Sequence, residues 1–239
     1  VDECHHISAF SFERVMMAAT AKYITGLTAT PYRRDGHQPI ITMQCGPVRY
    51  KISTKRPSDS SINYRLVTRP SSFSYSWSDE DKIHTLWPAL IADEERNRMI
   101  FEKIMNALEE RRSPIVLTER KEHLEILRQK LENFVKHIIV LHGGMRSKAR
   151  KEMIAKLTEI PDTEERLLLA TGQYIGEGFD DPRLDTLFLA MPFSFKGKMI
   201  QYAGRLHRSY QGKSEVRIYD YVDINIPILV KMHKKRLKA

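Results

Sequence analysis

The sequence predicts an α/β protein, a parallel sheet with helices on both faces, and two observations carry that prediction. Short apolar runs rich in Ile, Leu and Val recur at residues 114–117, 137–141, 166–171, 184–190 and 216–222, as strands buried on both faces do. Between them, apolar residues return at three- and four-residue steps, the period of an amphipathic helix. Strands that alternate with helices need crossover connections, and crossovers give parallel pairing. Composition fits a folded chain: 41% of the 239 residues are hydrophobic, which excludes disorder as the main state.

The elements follow in order. Phe12, Val15, Met16 and Ala19 form one helical stripe, and residues 23–27 read as a strand ending in Thr28, Ala29, Thr30 and Pro31. Over residues 53–81 the composition shifts to Ser, Pro, Arg and Asp, interrupted by one strand-like run at 62–68. The connection between two domains is placed at residues 53–61, with the domains spanning 1–57 and 58–239. A helix follows from about Asp93, with Ile100, Ile104 and Leu108 on one face. Leu124, Leu127, Leu131 and Phe134 mark another helix behind a Thr118 cap, and Ala149, Met153 and Leu157 a third behind Ser147.

Thirty-nine Lys and Arg against 30 Asp and Glu leave a net charge of +9, compatible with a polyanionic partner. No apolar stretch approaches the roughly 20 residues that cross a bilayer, and Cys4 and Cys45 are too few for a disulfide framework. A cytoplasmic or otherwise intracellular location, nuclear in a eukaryote, is the expectation.

Three sites carry chemistry. Val1-Asp2-Glu3-Cys4-His5-His6 opens with paired acids. At the end of a strand they point to opposite sides, so one can hold Mg²⁺ while the other orients a water. An acidic loop is the plain alternative, and a zinc site from Cys4, His5, His6 and Cys45 is disfavoured because adjacent ligands converge poorly on one ion. The second site is Gln201-Tyr202-Ala203-Gly204-Arg205-Leu206-His207-Arg208. On a helix Gln201, Gly204, Arg205 and Arg208 share one face, with Met199, Ala203 and Leu206 on the buried side. Arg pairs match phosphate oxygens and a glycine between them admits a close neighbour, although a solvated basic face would have the same spacing. In the third, the strand ending at Thr171 runs into Gly172, Gly176 and Gly178, with Asp180 beyond. A hydroxyl and a glycine turn there suit phosphate, and Asp180 can accept from a sugar hydroxyl.

Taken in order, these segments resemble the C-terminal half of a superfamily 2 helicase or translocase of the DExH type, similar to restriction-subunit and XPB-like DNA helicases. Asp2-Glu3-Cys4-His5 resembles motif II, Thr28-Ala29-Thr30 motif III, residues 115–120 motif IV, residues 169–180 motif V, and Gln201-xx-Gly204-Arg205-xx-Arg208 motif VI. The resemblance implies a RecA-like fold: the end of a first helicase domain and a complete second one. It implies ATP and Mg²⁺ as cofactors, and nucleic acid, DNA rather than RNA, as partner beside the first RecA-like domain. By the same resemblance Asp2 holds Mg²⁺ and Glu3 activates water. His5, Thr28 and Thr30 couple the nucleotide site to the nucleic acid. Thr171 touches a backbone phosphate, with His142 nearby in His142-Gly143-Gly144; Gly178 and Asp180 contact the nucleotide, and Gln201, Arg205 and Arg208 line the γ-phosphate side. The phosphate loop G-x-x-x-x-G-K-[ST] is absent from this sequence, because His207 stands five residues before Gly212-Lys213-Ser214. Without that loop the chain alone is expected to be inactive. A RecA-like module kept for binding or regulation without motor activity, or an RNA helicase, is the alternative.

Two smaller features complete the reading. Lys231, Lys234, Lys235, Arg236 and Lys238 form a basic tail whose charges suit the tracking of phosphates, with a solvated terminal helix face as the expected reading. Tyr75 and Trp77, among serines, have rings suited to stacking on bases, with a partly ordered loop as the plainer expectation.

Overall fold

The computed structural model describes residues 1–28, 36–51, 62–76, 82–172, 179–194 and 196–238. Two compact units divide at Ser60 and Ser61.

The larger unit holds a six-stranded sheet. Its strands are β1 (Asn63–Ser71), β2 (Pro114–Thr118), β3 (Ile138–Leu141), β4 (Leu167–Thr171), β5 (Thr186–Leu189) and β6 (Glu215–Asp223), in the spatial order β1-β6-β5-β2-β4-β3. Every neighbouring pair is parallel. All residues of β2, β4 and β5 are buried, as the unbroken apolar runs require. Alternation sorts their side chains between two cores: Ile115, Leu117, Leu168 and Ala170 face one side and Val116, Leu167 and Leu169 the other. Helices α4 (Glu94–Glu109) and α5 (Lys121–Leu131) cover the second side. The first is covered by α6 (Ser147–Glu159) through Leu157 and α7 (Lys196–Leu206) through Tyr202 and Leu206. A third cluster joins α3 (Ile83–Ala92) to α8 (Pro227–Arg236) through Leu86, Leu90 and Leu229.

Two buried arginines tie this frame together. Arg96 donates from Nε to Asp223 Oδ1 at 2.8 Å and from Nη1 to the Ala190 carbonyl at 2.7 Å. It thereby fastens the start of α4 to the ends of β5 and β6. Arg236 makes a two-pronged contact with Asp220, Nη2 to Oδ1 at 2.7 Å and Nε to Oδ2 at 3.0 Å, and donates to the Phe193 carbonyl at 2.6 Å. His233 Nδ1 lies 2.9 Å from the same carboxylate. Arg236 is therefore part of the scaffold and not of the basic solvent face that its sequence suggests.

Other expectations need correction. Thr118 and Ser147 cap nothing: the residues preceding α5 and α6 are Arg120 and Arg146, without side-chain caps. The Thr118 hydroxyl is held instead by His123 Nδ1 at 3.2 Å and accepts the Arg120 N–H at 3.3 Å. Asp93 does cap α4, accepting from the Arg96 N–H at 2.7 Å. Helix α3 escapes a reading by periodicity because it is apolar nearly all round and carries Pro88 inside.

In the smaller unit a 3₁₀ turn (Cys4–His6), α1 (Phe10–Ala18) and α2 (Gln38–Cys45) surround a small core of Cys4, Ile7 and Ile41. Residues 23–28 form no regular strand. The Val1 amine donates to the Thr25 carbonyl at 2.6 Å, and the Leu27 N–H to the Val1 carbonyl at 2.8 Å. That is the bonding pattern of a parallel ladder one residue long. The expected α1 stripe is not buried; no residue of α1 is, and Phe10 is 76% exposed.

Candidate functional site

Around the paired acids, residues far apart in sequence meet. The Cys4 N–H donates to the Leu27 carbonyl at 2.9 Å, drawing Thr28 against the 3₁₀ turn. Gly26 permits this approach: a methyl group there would come within 2.9 Å of both Cys4 Sγ and Cys45 Sγ. As a result His5 Nδ1 lies 2.9 Å from Thr28 Oγ1 and 3.1 Å from Glu3 Oε2, and the Thr28 hydroxyl is 3.5 Å from the same carboxylate oxygen. Three residues expected to work together thus form one half-buried cluster. The expected alternation of Asp2 and Glu3 along a strand does not occur. Glu3 adopts a left-handed conformation with φ of 47°, costly for a non-glycine residue, and its N–H donates to Asp2 Oδ1 at 2.9 Å. Burial and the neighbouring Cys45 push the Cys4 thiol above its ordinary pKa, which disfavours the thiolate that zinc would need. No group of three His, Cys, Asp or Glu among the described residues is arranged to hold a metal ion. A single exposed carboxylate such as Asp2 suits Mg²⁺ held mainly by substrate phosphates.

In the larger unit the second constellation lies along the carboxyl ends of the strands, where parallel sheets bind ligands. Because Leu141 pairs with Ala170, the residues following β3 and β4 emerge side by side. The Gly143 N–H donates to Thr171 Oγ1 at 3.1 Å, so the two nucleic-acid candidates, Thr171 and the His142 loop, are neighbours. Gly144 has φ of +89°, a left-handed turn that favours glycine. The Lys121 ammonium sits 3.0 Å from the point where a side chain would begin at Gly144. Lys121 escaped sequence reading, since nothing in its local pattern distinguishes it from other helix-surface lysines. Hydroxyl, glycine turn and ammonium on one edge are groups that take a phosphate.

Helix α7 rests on this edge through Tyr202, which is 1% exposed and donates from its hydroxyl to Glu119 Oε1 at 3.4 Å. A side chain at Gly172 would collide with both residues. Burial, then the Glu119 charge, pushes the Tyr202 phenol well above its usual range. Tyr202 and Leu206 form the deep side of the helix, whereas Met199 and Ala203, expected there, are half-buried. Gly204 is exposed, with nothing within 4 Å of a notional side chain. Its cost of about 1 kcal/mol relative to Ala in a helix has no packing reason within the described residues.

The helix stops at Leu206. Arg208 therefore lies beyond it and does not share a helical face with Gly204 and Arg205, because the chain turns at His207. Nor is Arg208 unpaired: its Nε is 3.2 Å from Asp180 Oδ1, with both side chains about half exposed. Asp180, expected to accept from a sugar, and Arg208, expected at the γ-phosphate, are thus brought together. Arg205 is half-buried on α7. Gly178 and Thr30 lie outside the described residues, as does the side chain of Gln201. In Gly212-Lys213-Ser214, the Lys213 ammonium donates to the carbonyls of Pro182, Leu184 and Arg208 at 2.6–3.1 Å, which makes it a turn clamp.

Residues 97–210, which include most of the sheet and α7, match the helicase conserved C-terminal domain. Over those residues the chain resembles helicase C-terminal domains. Among curated proteins, 161L of invertebrate iridescent virus 6, assigned by name as a helicase, is 29% identical over all of this chain and 54% of its own length. L396 of Acanthamoeba polyphaga mimivirus, named as an ATP-dependent RNA helicase, is 24% identical over 99% of this chain and 45% of its own. The chain spans about half the length of these relatives. The solved structure of S. cerevisiae Dbp5 bound to RNA and ADP BeF3 aligns over 98% of this chain and 56% of its own, at 14% identity and a TM-score of 0.65. The six-stranded parallel sheet and its helices therefore have a RecA-like α/β fold, and no helix among the described residues is long and apolar enough to cross a membrane.

Proposed function

We propose that this chain is the C-terminal part of an ATP-dependent DNA helicase or translocase of the DExH type. In this reading residues 1–57 are the end of a first RecA-like domain and residues 58–239 a complete second one. The observation that carries it is the meeting of Glu3, His5 and Thr28 within 3.5 Å, where a carboxylate is held by a His and a hydroxyl from a separate segment. In the longer protein Glu3 accepts a proton from the attacking water, while His5 and Thr28 hold that carboxylate and, with Thr30, relay its state toward the nucleic acid. ATP with Mg²⁺ supplies the phosphoryl group. Asp2 holds the metal, Asp180 and Gly178 contact the nucleotide, and Gln201, Arg205 and Arg208 neutralise charge on the transferring phosphate. Thr171, His142 and Lys121 hold backbone phosphates. The open surface over Gly204 and the exposed apolar side chains Phe10, Val15 and Met17 fit burial against the rest of a first domain.

A relative named as an RNA helicase favours a second reading in which the track is RNA, and one experiment addresses both. The longer protein, with its phosphate loop, hydrolyses ATP in the presence of a DNA or an RNA oligonucleotide. Glu3→Gln removes turnover and leaves nucleotide binding intact, and the chain of 239 residues alone shows no stimulated hydrolysis. Turnover that survives Glu3→Gln would overturn the assignment of the base, and stimulation by RNA alone would replace DNA with RNA.

A further inference from the structure

Helix α8 has two faces of opposite character. Inward, Arg236 and His233 are locked onto the buried Asp220, and Leu229 packs in the core shared with α3. Outward, Lys231, Lys234 and Lys235, with Lys238 in the turn that follows, are all exposed and follow the spacing i, i+3, i+4 and i+7 of one helix face. None of these four lysines has a carboxylate partner among the described residues. Elsewhere in the same unit cations are commonly matched: Arg112 with Glu215, Arg217 with Glu110, Lys130 with Glu94 and Lys136 with Glu164. The sequence explains the difference, since residues 224–239 contain five Lys or Arg and no Asp or Glu.

The position of this stripe matters as much as its charge. Arg236 bonds the carbonyl of Phe193, and Phe193 follows the carboxyl end of β5; α8 also packs on α7. The last turn of α8 is thereby held at the edge of the sheet from which Thr171 and Gly143 emerge. A rigid row of unneutralised ammonium groups at that edge is complementary to a row of phosphates. Some charge at a helix C-terminus is expected from the dipole alone. That effect is confined to the last turn and does not reach Lys231.

We infer that the outer face of α8, Lys231, Lys234, Lys235 and Lys238, is a nucleic-acid backbone contact that extends the phosphate track beyond Thr171 and the His142 loop. The inference rests on the nucleic-acid reading above but uses none of its motif residues. Lysine at these positions acts as a point charge, so the contact is independent of sequence.

The test uses this chain and a fluorescein-labelled 20-mer of mixed sequence, read by anisotropy between 50 and 200 mM salt. If all four lysines meet phosphates, the fourfold Lys→Gln variant lowers the log-log salt slope by about 3, from about 0.7 per single-strand contact, and weakens binding at least tenfold at the low-salt end. The thermal melt by circular dichroism stays in place. If the fourfold variant does not fold, the pair K231Q/K238Q gives the same readout with about half the slope change. An unchanged slope and affinity in a variant that folds overturns the inference while leaving the nucleic-acid reading standing. A parent chain that binds no oligonucleotide at all overturns both. Binding of the parent chain to phosphatidylserine vesicles, lost in the variant while oligonucleotide binding is kept, would assign the stripe to a lipid surface instead.

Discussion

Acidification should destabilise the larger unit through one buried imidazole. His123 on α5 is fully enclosed, with Nε2 2.9 Å from Asn97 Oδ1 and Nδ1 3.2 Å from Thr118 Oγ1. Asn97 uses its amide N–H on the Ile91 carbonyl at 2.7 Å, so its Oδ1 accepts and His123 Nε2 must carry the proton in the neutral ring. Burial, and secondarily the Arg96 charge, push the His123 pKa down from 6.5 to about 3. Because the folded value lies below the unfolded one, the neutral ring's contribution is complete above pH 6.5 and is lost as pH falls toward 3. One pKa unit corresponds to about 1.4 kcal/mol, so the loss between pH 7 and pH 4 is about 3 kcal/mol, a large share of the roughly 5–15 kcal/mol that holds a domain folded. Urea unfolding of the wild type and of His123→Gln at both pH values isolates this term. The variant is less stable at pH 7 by about 1–3 kcal/mol for its imperfect hydrogen bonds, and the gap closes or reverses at pH 4. Curves that stay parallel from pH 7 to pH 4 would refute a neutral buried His123.

The other two predictions concern single carboxylate partnerships. Asp220→Ala leaves Arg236 and His233 buried without a counter-charge, and should cost about 3–5 kcal/mol in urea unfolding, partly recovered by adding Arg236→Leu; a loss below about 1 kcal/mol would mean that the clamp on α8 contributes little. Arg208→Ala breaks only the half-exposed pair with Asp180 and should change stability by less than about 1 kcal/mol, yet lower ATP hydrolysis by the longer protein about 10³-fold or more. Unfolding with hydrolysis spared would make Arg208 a scaffold residue.

The sequence by itself determined the sheet and its parallel sense. The runs in β2, β4 and β5 are apolar at every position, and only a sheet covered on both faces accommodates that. It also marked Glu3, Thr171 and Arg205 through short local patterns, and His5 and Thr28 through the family resemblance that those patterns carry. What it could not determine was which segments meet. The position of β1 beside β6 depends on register between strands about 150 residues apart. The contact of Gly143 with Thr171 depends on β3 pairing with β4. Lys121 and Tyr202 acquire their places only when separate strand ends come together. Arg236 shows the same limit from the other side. It reads as one more lysine-like charge on a basic face, and only Asp220, sixteen residues earlier on a strand, turns it inward. Helix and strand periods are written along the chain, whereas partners for charge and hydrogen bonding are chosen across it. The tertiary structure alone decides which of five neighbouring cations is buried and which four are exposed.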